Sequence, residues 1–558
     1  MNGKTLLKTA IATAIAVSAG SVYAFVPNNN TDATAVVYWA GASASTQSAQ
    51  ESVTDFVCDA AAGSVDVLSR SGNWTVACST SAAKTPTLGD GTILVHKRDG
   101  GGSGVGVGPV QSGIQIQFMD ASPANCAGAP VAKLTSNNTA YQERTCGATN
   151  LNASPDIGTS DAEPELFTGV NVPTLSTPDP VTGPAPFDPT GPAYQARAVL
   201  GDLAFNTPVT LSLYKALQAA QFSATSKCHP TNAAYATSVA VNLEDGTTPV
   251  TEAVNAPNGD TEACMPSLTK EEIRSIMTGQ IKDWTEFKVL DTATNTQSNL
   301  QVVAGAAGLL GTAQTAVQVC RRANGSGTQA VIGALIEGVN CAAGVAPIKT
   351  ASTLTKPFVA ENSNATNVEK CLDDFELSAN TSTKNSGLVK RWAIGVRSTE
   401  ASATLDQLAV SPFTKYNYRF IKIDGVAPTV ENIHRGDYDV WASQSIQLAP
   451  SAGVSAAGVF DIIANNAFTV AGVKTLNTDC KHGYGRGCWL GTPKGGAAPT
   501  SPAVYDVDLF AANPINNFTR APGSAKLNIC QPALRSDKAN AAAPHLTVAP
   551  NPNFSPVP

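Results

Sequence analysis

Apolar residues come along this chain in short runs, and each run ends in a cluster of small and polar residues. Ala35-Val36-Val37-Tyr38-Trp39-Ala40 is such a run and reads as a first strand. Gly41-Ala42-Ser43-Ala44-Ser45-Thr46 breaks it, and Val53, Phe56 and Val57 then recur at helical spacing. Ser43 or Ser45 fits the helix N-cap there. Thr92 to Arg98 reads as another strand, running into the glycine-rich stretch Asp99 to Gly108. Glycines there let backbone N–H groups come close to a ligand, although a flexible linker has the same composition. Pro155 to Glu163 reads as a short strand ending at Asp161, an acid that also suits a plain turn. Strand gives way to helix between Ala198 and Leu217. Thr269 and Glu272 are spaced as a capping box, opening a helix that runs to Met277 and stops at Gly279. Later, Leu388 to Val396 is apolar, Tyr418 to Ile423 alternates as a strand, and Tyr438 to Trp441 begins another.

The chain is organised around Cys320 to Thr328. Ala313 to Val319 reads as a buried strand leading in, and Val331, Ile332, Ala334, Leu335 and Ile336 as a helix leading out. Between them lie Arg321, Arg322, Gly325, Ser326, Gly327 and Thr328. The first N–H groups of a helix have no internal partner, and the helix dipole makes that end positive, so an anion can sit there. Ser326 and Thr328 add hydroxyl donors. Arg322 adds a planar fork suited to a tetrahedral oxyanion. The same residues also suit a hydroxyl helix cap beside two surface arginines.

Composition narrows the setting. The first 24 residues read as an export signal: Lys4 and Lys8, the apolar Leu6 to Val17, and the small-residue end Val22-Tyr23-Ala24. This predicts cleavage after Ala24 and a periplasmic or secreted protein without a membrane span in its mature form. The formal charge is −7, and removing a leader with two lysines and no acid leaves −9. That balance argues against nucleic acid, which needs a basic footprint. Twelve cysteines in an exported chain predict disulfides. Proximity suggests Cys58–Cys78, Cys126–Cys146, Cys228–Cys264 and Cys480–Cys488, and leaves Cys320, Cys341, Cys371 and Cys530 without an assigned order. The five histidines have no metal-ligand spacing, and there is no G-x-S-x-G elbow, so hydrolysis of phosphate esters is disfavoured and no cofactor or metal is expected.

Ser43, Ser103, Asp161 and the Arg322 to Thr328 segment all stand at strand ends, where loops of open α/β sheets converge on ligands. Taken in order, these segments resemble the periplasmic phosphate-binding proteins of ABC importers. Gly41-Ala42-Ser43 resembles the family's first turn, and Gly102-Ser103-Gly104 its Gly-Ser loop. Asp156 to Ala162 is similar to D-[FI]-G-x-S-D-A, Leu268 to Trp284 to L-t-x-x-x-I-x-x-G-x-I-x-x-W, and Arg321 to Thr328 to R-R-x-[DN]-G-S-G-T. Asn324 stands where many members carry Asp, which takes a charge from near Arg322.

The resemblance implies an α/β, two-lobed type 2 periplasmic-binding-protein fold, here with disulfide-closed insertions. Lobe 1 would comprise 25–203, with an insertion over 105–155 and a proline-rich loop over 173–192. Lobe 2 would be 204–400, lobe 1 would return over 401–540 with a C-terminal extension, and 541–558 would be a disordered tail. The ligand set implied is Ser43, Ala44, Ser103, Asp161, Arg322, Ser326, Gly327 and Thr328 around inorganic phosphate or a related oxyanion. An importer permease is the implied partner, and no catalytic residue is expected. An ionised Asp161 only accepts hydrogen bonds, so it suits an anion that still carries a proton, as hydrogen phosphate does and sulfate does not. The alternative is an extracellular structural or adhesive protein that keeps the fold and works through its insertions.

Overall fold

The computed structural model describes residues 32–535, apart from 45, 71, 136–137, 148–150, 174–184, 243–252, 310–314, 400–416, 468–472, 474–489, 492–515, 517 and 521–526. The expected leader, most of the proline-rich loop, the Cys480–Cys488 pair and the tail lie outside these residues.

Eight strands form the frame of the two larger sheets: β1 (Ala35–Gly41), β2 (Gly91–Arg98), β3 (Ile157–Ser160), β4 (Ala196–Asn206), β5 (Gln318–Arg322), β6 (Phe358–Asn362), β7 (Ala393–Gly395) and β8 (Trp441–Leu448). The first sheet has eleven strands, with the order β4-β8-β3-β1-β2 at its heart. Beyond β2 it continues through Asn73–Thr80, Val65–Arg70 and the hairpin of Ala140–Thr145 and Val131–Leu134. The expected insertion thus adds strands to this sheet, and its Cys126–Cys146 bridge packs with Leu68 and Met119. The second sheet runs β6-β5-β7, then Val209–Thr210 and Tyr418–Arg419. The result is a two-lobed α/β fold, with one lobe built on each of the two larger sheets.

Chain passes between the sheets at Asn206 to Val209, at Gly395 to Arg397 and between Arg419 and Trp441. The second sheet therefore takes a strand from beyond residue 400, and the return to the first sheet after that strand comes at β8. The alternating stretch Tyr418 to Ile423 is not one strand: Lys422–Ile423 pairs with Ser267–Leu268 instead. Asn206 secures this region, donating to Ile421 O at 2.8 Å and to Tyr438 Oη at 3.1 Å.

Each lobe has an aromatic centre. Trp39 meets Trp74 edge-on at 6.2 Å in the first, and Trp284 meets Trp392 at 5.9 Å in the second. The capping box forms as the sequence predicts. The Thr269 hydroxyl accepts from Glu272 N–H, the Glu272 carboxylate accepts from Thr269 N–H, and the helix spans Lys270–Met277. Disulfides close Cys58–Cys78, Cys126–Cys146 and Cys228–Cys264 as expected, and the fold assigns Cys320–Cys371 and Cys341–Cys530. No described helix is long and apolar enough to cross a membrane.

Candidate oxyanion site between the lobes

Three neighbouring parallel strands deliver the first half of the site. β1 lies between β2 and β3, with Ala40 opposite Arg98 and Gly41 opposite Thr159. Their carboxyl ends are therefore flush, and the residues just past them are Ser43, the Asp99 to Ser103 loop and Asp161. The close packing requires glycine at the end of β1. Gly41 has φ +106°, and a Cβ there would stand 2.0 Å from Thr159 O. The glycine-rich stretch is not a linker: Ser103–Gly106 forms a buried 3-10 turn. Ser103 Oγ accepts the N–H of Asp161 at 3.0 Å, which joins two of the sequence-predicted residues directly.

The second half comes from β5, which is parallel to both β6 and β7. The apolar run places this strand too early. It spans Gln318–Arg322, because the ladder to β6 continues through Arg321 opposite Glu361 and Arg322 opposite Asn362. Hydropathy ends where charge begins, but pairing does not. Consecutive strand residues point to opposite faces. Arg321 accordingly turns to loop groups, donating to Lys349 O at 3.1 Å and Asn324 Oδ1 at 2.5 Å. Asn324 is thus a partner of Arg321, and its missing charge bears on that arginine rather than on Arg322. Arg322 is almost fully buried, lies 3.4 Å from Ser363 O and acts electrostatically on Asp161. Ser326 caps the following helix by accepting Gln329 N–H at 3.4 Å, so the plain capping role holds for its lone pair. The helical run continues from Gly327 to Glu337.

The two halves meet. Gly104 N–H donates to Gly325 O across the cleft at 2.8 Å. A Cβ on Gly327 would stand 2.1 Å from Ser103 Oγ and 2.5 Å from Asp161 Oδ2. Ala44, Ser103, Asp161, Arg322, Ser326 and Thr328 are all buried, and Ser43 is half-buried. Ser43 itself caps nothing by its side chain among the described contacts; its carbonyl lies 2.9 Å from the Thr46 hydroxyl.

Residues that sequence reasoning passed over complete the surroundings. Lys97 is buried under the first turn, donating to Gly41 O at 2.5 Å and pairing with Asp99. Asp99 also takes the Thr46 hydroxyl at 2.8 Å. Burial pushes Lys97 down and Asp99 up, each against the other's charge. Gln444 on β8 donates to Asp161 Oδ1 at 2.7 Å. Burial pushes the Asp161 carboxyl above its usual range, opposed by Gln444, Arg322, Ser103 and Lys97 in turn. The arrangement offers neutral donors, a helix start and one guanidinium facing one carboxylate. Of the histidines, His96 is a core residue stacked on Tyr38, pushed down to about 4 by burial. Among the described residues no cluster of three or more His, Cys, Asp or Glu side chains could hold a metal ion.

Residues 223–450 match the PBP superfamily domain. Three solved structures are among those the chain is similar to. One is a putative phosphate ABC transporter substrate-binding protein with bound phosphate from Clostridium perfringens, 11% identical, covering 80% of this chain and 98% of its own, with a TM-score of 0.34. Another is an ABC-type phosphate transport receptor from Vibrio cholerae, 13% identical, covering 56% and 75%, with a TM-score of 0.25. A third is PstS from Borrelia burgdorferi, 11% identical, covering 50% and 68%, with a TM-score of 0.22. No curated protein matches the chain.

Proposed function

We propose that this protein captures inorganic phosphate between its two lobes, without chemistry, as an exported solute-binding protein. The observation that carries the reading is the meeting of Ser103 and Asp161 from one sheet with Arg322 and Gly327 from the other in a buried space. Ser43, Ser103, Ser326 and Thr328 donate hydroxyls to phosphate oxygens, and Ala44, Gly327 and Thr328 donate backbone N–H groups. Arg322 supplies the positive side chain. Asp161 accepts the proton that hydrogen phosphate retains. Sulfate at neutral pH brings no such proton. In this reading the first sheet and the second sheet each form the frame of one lobe. A permease partner belongs to this reading.

Isothermal titration of the full chain with phosphate and with sulfate at neutral pH tests it. The expected result is micromolar or tighter phosphate binding and no heat with sulfate. Absence of heat with phosphate overturns the reading and favours a structural or adhesive role carried by the insertions.

A further inference from the structure

Gln444 belongs to none of the loops that converge on the cleft. It sits on β8, whose antiparallel pairing with β3 sets Ser445 opposite Ser160, and it has no exposed surface. Its Nε2–H reaches Asp161 Oδ1 at 2.7 Å, while Asp161 Oδ2 lies on the side where Gly327 approaches. One carboxylate oxygen is therefore anchored inside its own lobe, and the other is turned toward the opposite lobe. We propose that Gln444 is a positioning residue for anion selectivity, holding Asp161 as an acceptor with Oδ2 directed at the ligand. This rests on the phosphate reading.

A donor on a carboxylate favours its ionised form. The charged and polar groups that face Asp161 are Arg322 from the second lobe, Lys97 with its partner Asp99 from β2, and the Ser103 hydroxyl. All but Asp99 act in the same sense as Gln444, and burial acts against them. Without the Gln444 donor, burial prevails at a higher pH. Asp161 then holds a proton and becomes a donor that sulfate can use.

The test is Gln444→Met in the full chain, close in shape but without the amide, titrated with phosphate and sulfate from about pH 5 to about pH 9. Both proteins are expected to bind phosphate at the alkaline end. The pH below which sulfate binds is expected to rise by about 1 unit or more in the variant. An unchanged sulfate profile, or equal weakening for both anions at every pH, overturns the role of Gln444 while leaving phosphate binding standing. Failure of the wild type to bind phosphate overturns both. Should the Met variant not fold, Gln444→Glu is expected to move the sulfate profile in the same direction, since two carboxyls in contact retain a proton.

The C-terminal hairpin of Phe518–Arg520 and Ala533–Arg535 carries a second inference independently. Its root packs on the first sheet: Asn516 donates to Asp202 Oδ2 on β4 at 2.6 Å, and the Arg520 guanidinium lies 4.9 Å from the Trp441 ring on β8. Further on, Ile529 N–H donates to Glu163 at 2.9 Å, two residues past Asp161. The next residue, Cys530, is bonded to Cys341 just beyond the helical run that begins at Gly327 in the second lobe. Beside it Asn340 donates to Leu166 O of the first lobe at 3.1 Å. Two-lobed binding proteins open by rotation about their crossing segments. The hydrogen bonds Gly104–Gly325 and Asn340–Leu166 can part in such a motion, whereas the disulfide cannot. We infer that Cys341–Cys530 is a tether that limits how far the lobes separate.

Both of its cysteines are half-buried, while the other four described bridges are buried, so a reductant reaches this one first. Small-angle scattering and stopped-flow phosphate release compare the oxidised protein with the Cys341→Ser, Cys530→Ser double variant. The phosphate-free variant is expected to be larger and to compact on binding, with release several-fold faster. Equal radii of gyration and equal release rates overturn the tether. If the variant does not fold, mild reduction and alkylation of the folded wild type, mapped to these two cysteines, gives the same comparison.

Discussion

Two adjacent buried arginines make the sharpest test of how this chain divides its labour. Arg321 and Arg322 are neighbours on β5 and both are buried, yet strand alternation sends them to opposite faces. Arg321 donates to Arg322 O at 2.9 Å, Lys349 O at 3.1 Å and Asn324 Oδ1 at 2.5 Å, all within its own lobe. Arg321→Met removes these bonds and leaves their buried acceptors unmatched, a loss of about 3 kcal/mol in folding stability. Among the described contacts its side chain reaches no group of the first lobe. Arg322→Met removes the guanidinium whose charge acts on Asp161, and under the phosphate reading should cost about 2–5 kcal/mol in binding, or about 30-fold to several thousand-fold in affinity. The two measurements are urea denaturation and isothermal titration with phosphate, each on both variants. The expected pattern is crossed: Arg321→Met unfolds earlier and binds within a few-fold of wild type, while Arg322→Met folds and binds poorly. If Arg321→Met weakens phosphate as much as Arg322→Met does, or if Arg322→Met binds nearly as wild type, the assignment by strand face is wrong.

Three further outcomes are expected. Asp161→Asn should relax the exclusion of sulfate, by about 1–3 kcal/mol in the phosphate-to-sulfate difference, since an amide can donate where the carboxylate only accepts; competition titrations that show sulfate still excluded would refute it. Gly327→Ala should weaken phosphate binding more than tenfold, about 1.4 kcal/mol, because its methyl would stand 2.1 Å from Ser103 Oγ and 2.5 Å from Asp161 Oδ2; wild-type affinity in the variant would show that the lobes need not come this close. Glu337 is pushed up by burial to about 8 from an ordinary 4.5, so the folded state holds its proton where the unfolded state has lost it. Stability from this group is full below about pH 4.5 and declines as pH rises through about 8. Thermal melts across that range should fall less for Glu337→Gln, and parallel curves for the two proteins would contradict the sign.

Much of the site was legible because its parts are local. A hydroxyl or acid just past an apolar run can be read without knowing the fold, and Ser43, Ser103, Asp161 and Ser326 all have that form. The three bridges correctly matched by proximity span 20, 20 and 36 residues, distances that one loop can close. Cys320–Cys371 spans 51 and Cys341–Cys530 spans 189, and both depend on which elements pack together. Strand pairing in β5 likewise depends on β6, which is why the apolar run ended before the strand did.

Lys97 and Gln444 mark the physical limit of such reading. In the sequence Lys97 follows His96 at the end of an apolar run and resembles the solvated finish of a strand. Only the pairing of β1 beside β2 brings it the buried Gly41 carbonyl, with Asp99 two residues on as its ion-pair partner. Gln444 lies 283 residues from the carboxylate it contacts, on a strand whose place between β3 and β4 follows from the chain's return to the first sheet. Both side chains act on residues whose importance the sequence does reveal, Ser43 and Ala44 through the Gly41 turn for one, Asp161 for the other. The donors that would touch an anion are set by short local motifs. The groups that fix those donors in place come from wherever the sheet order brings a neighbour, and they leave no spacing of their own. If that division is right, exchanging Lys97 for Met should disturb the first turn and weaken binding of both anions, with a smaller change of preference than loss of Gln444 brings, since Lys97 is the weakest and Gln444 the strongest of the groups that oppose burial at Asp161. Titration of both variants against phosphate and sulfate separates the two effects, and a selectivity change on loss of Lys97 as large as that on loss of Gln444 would refute the division.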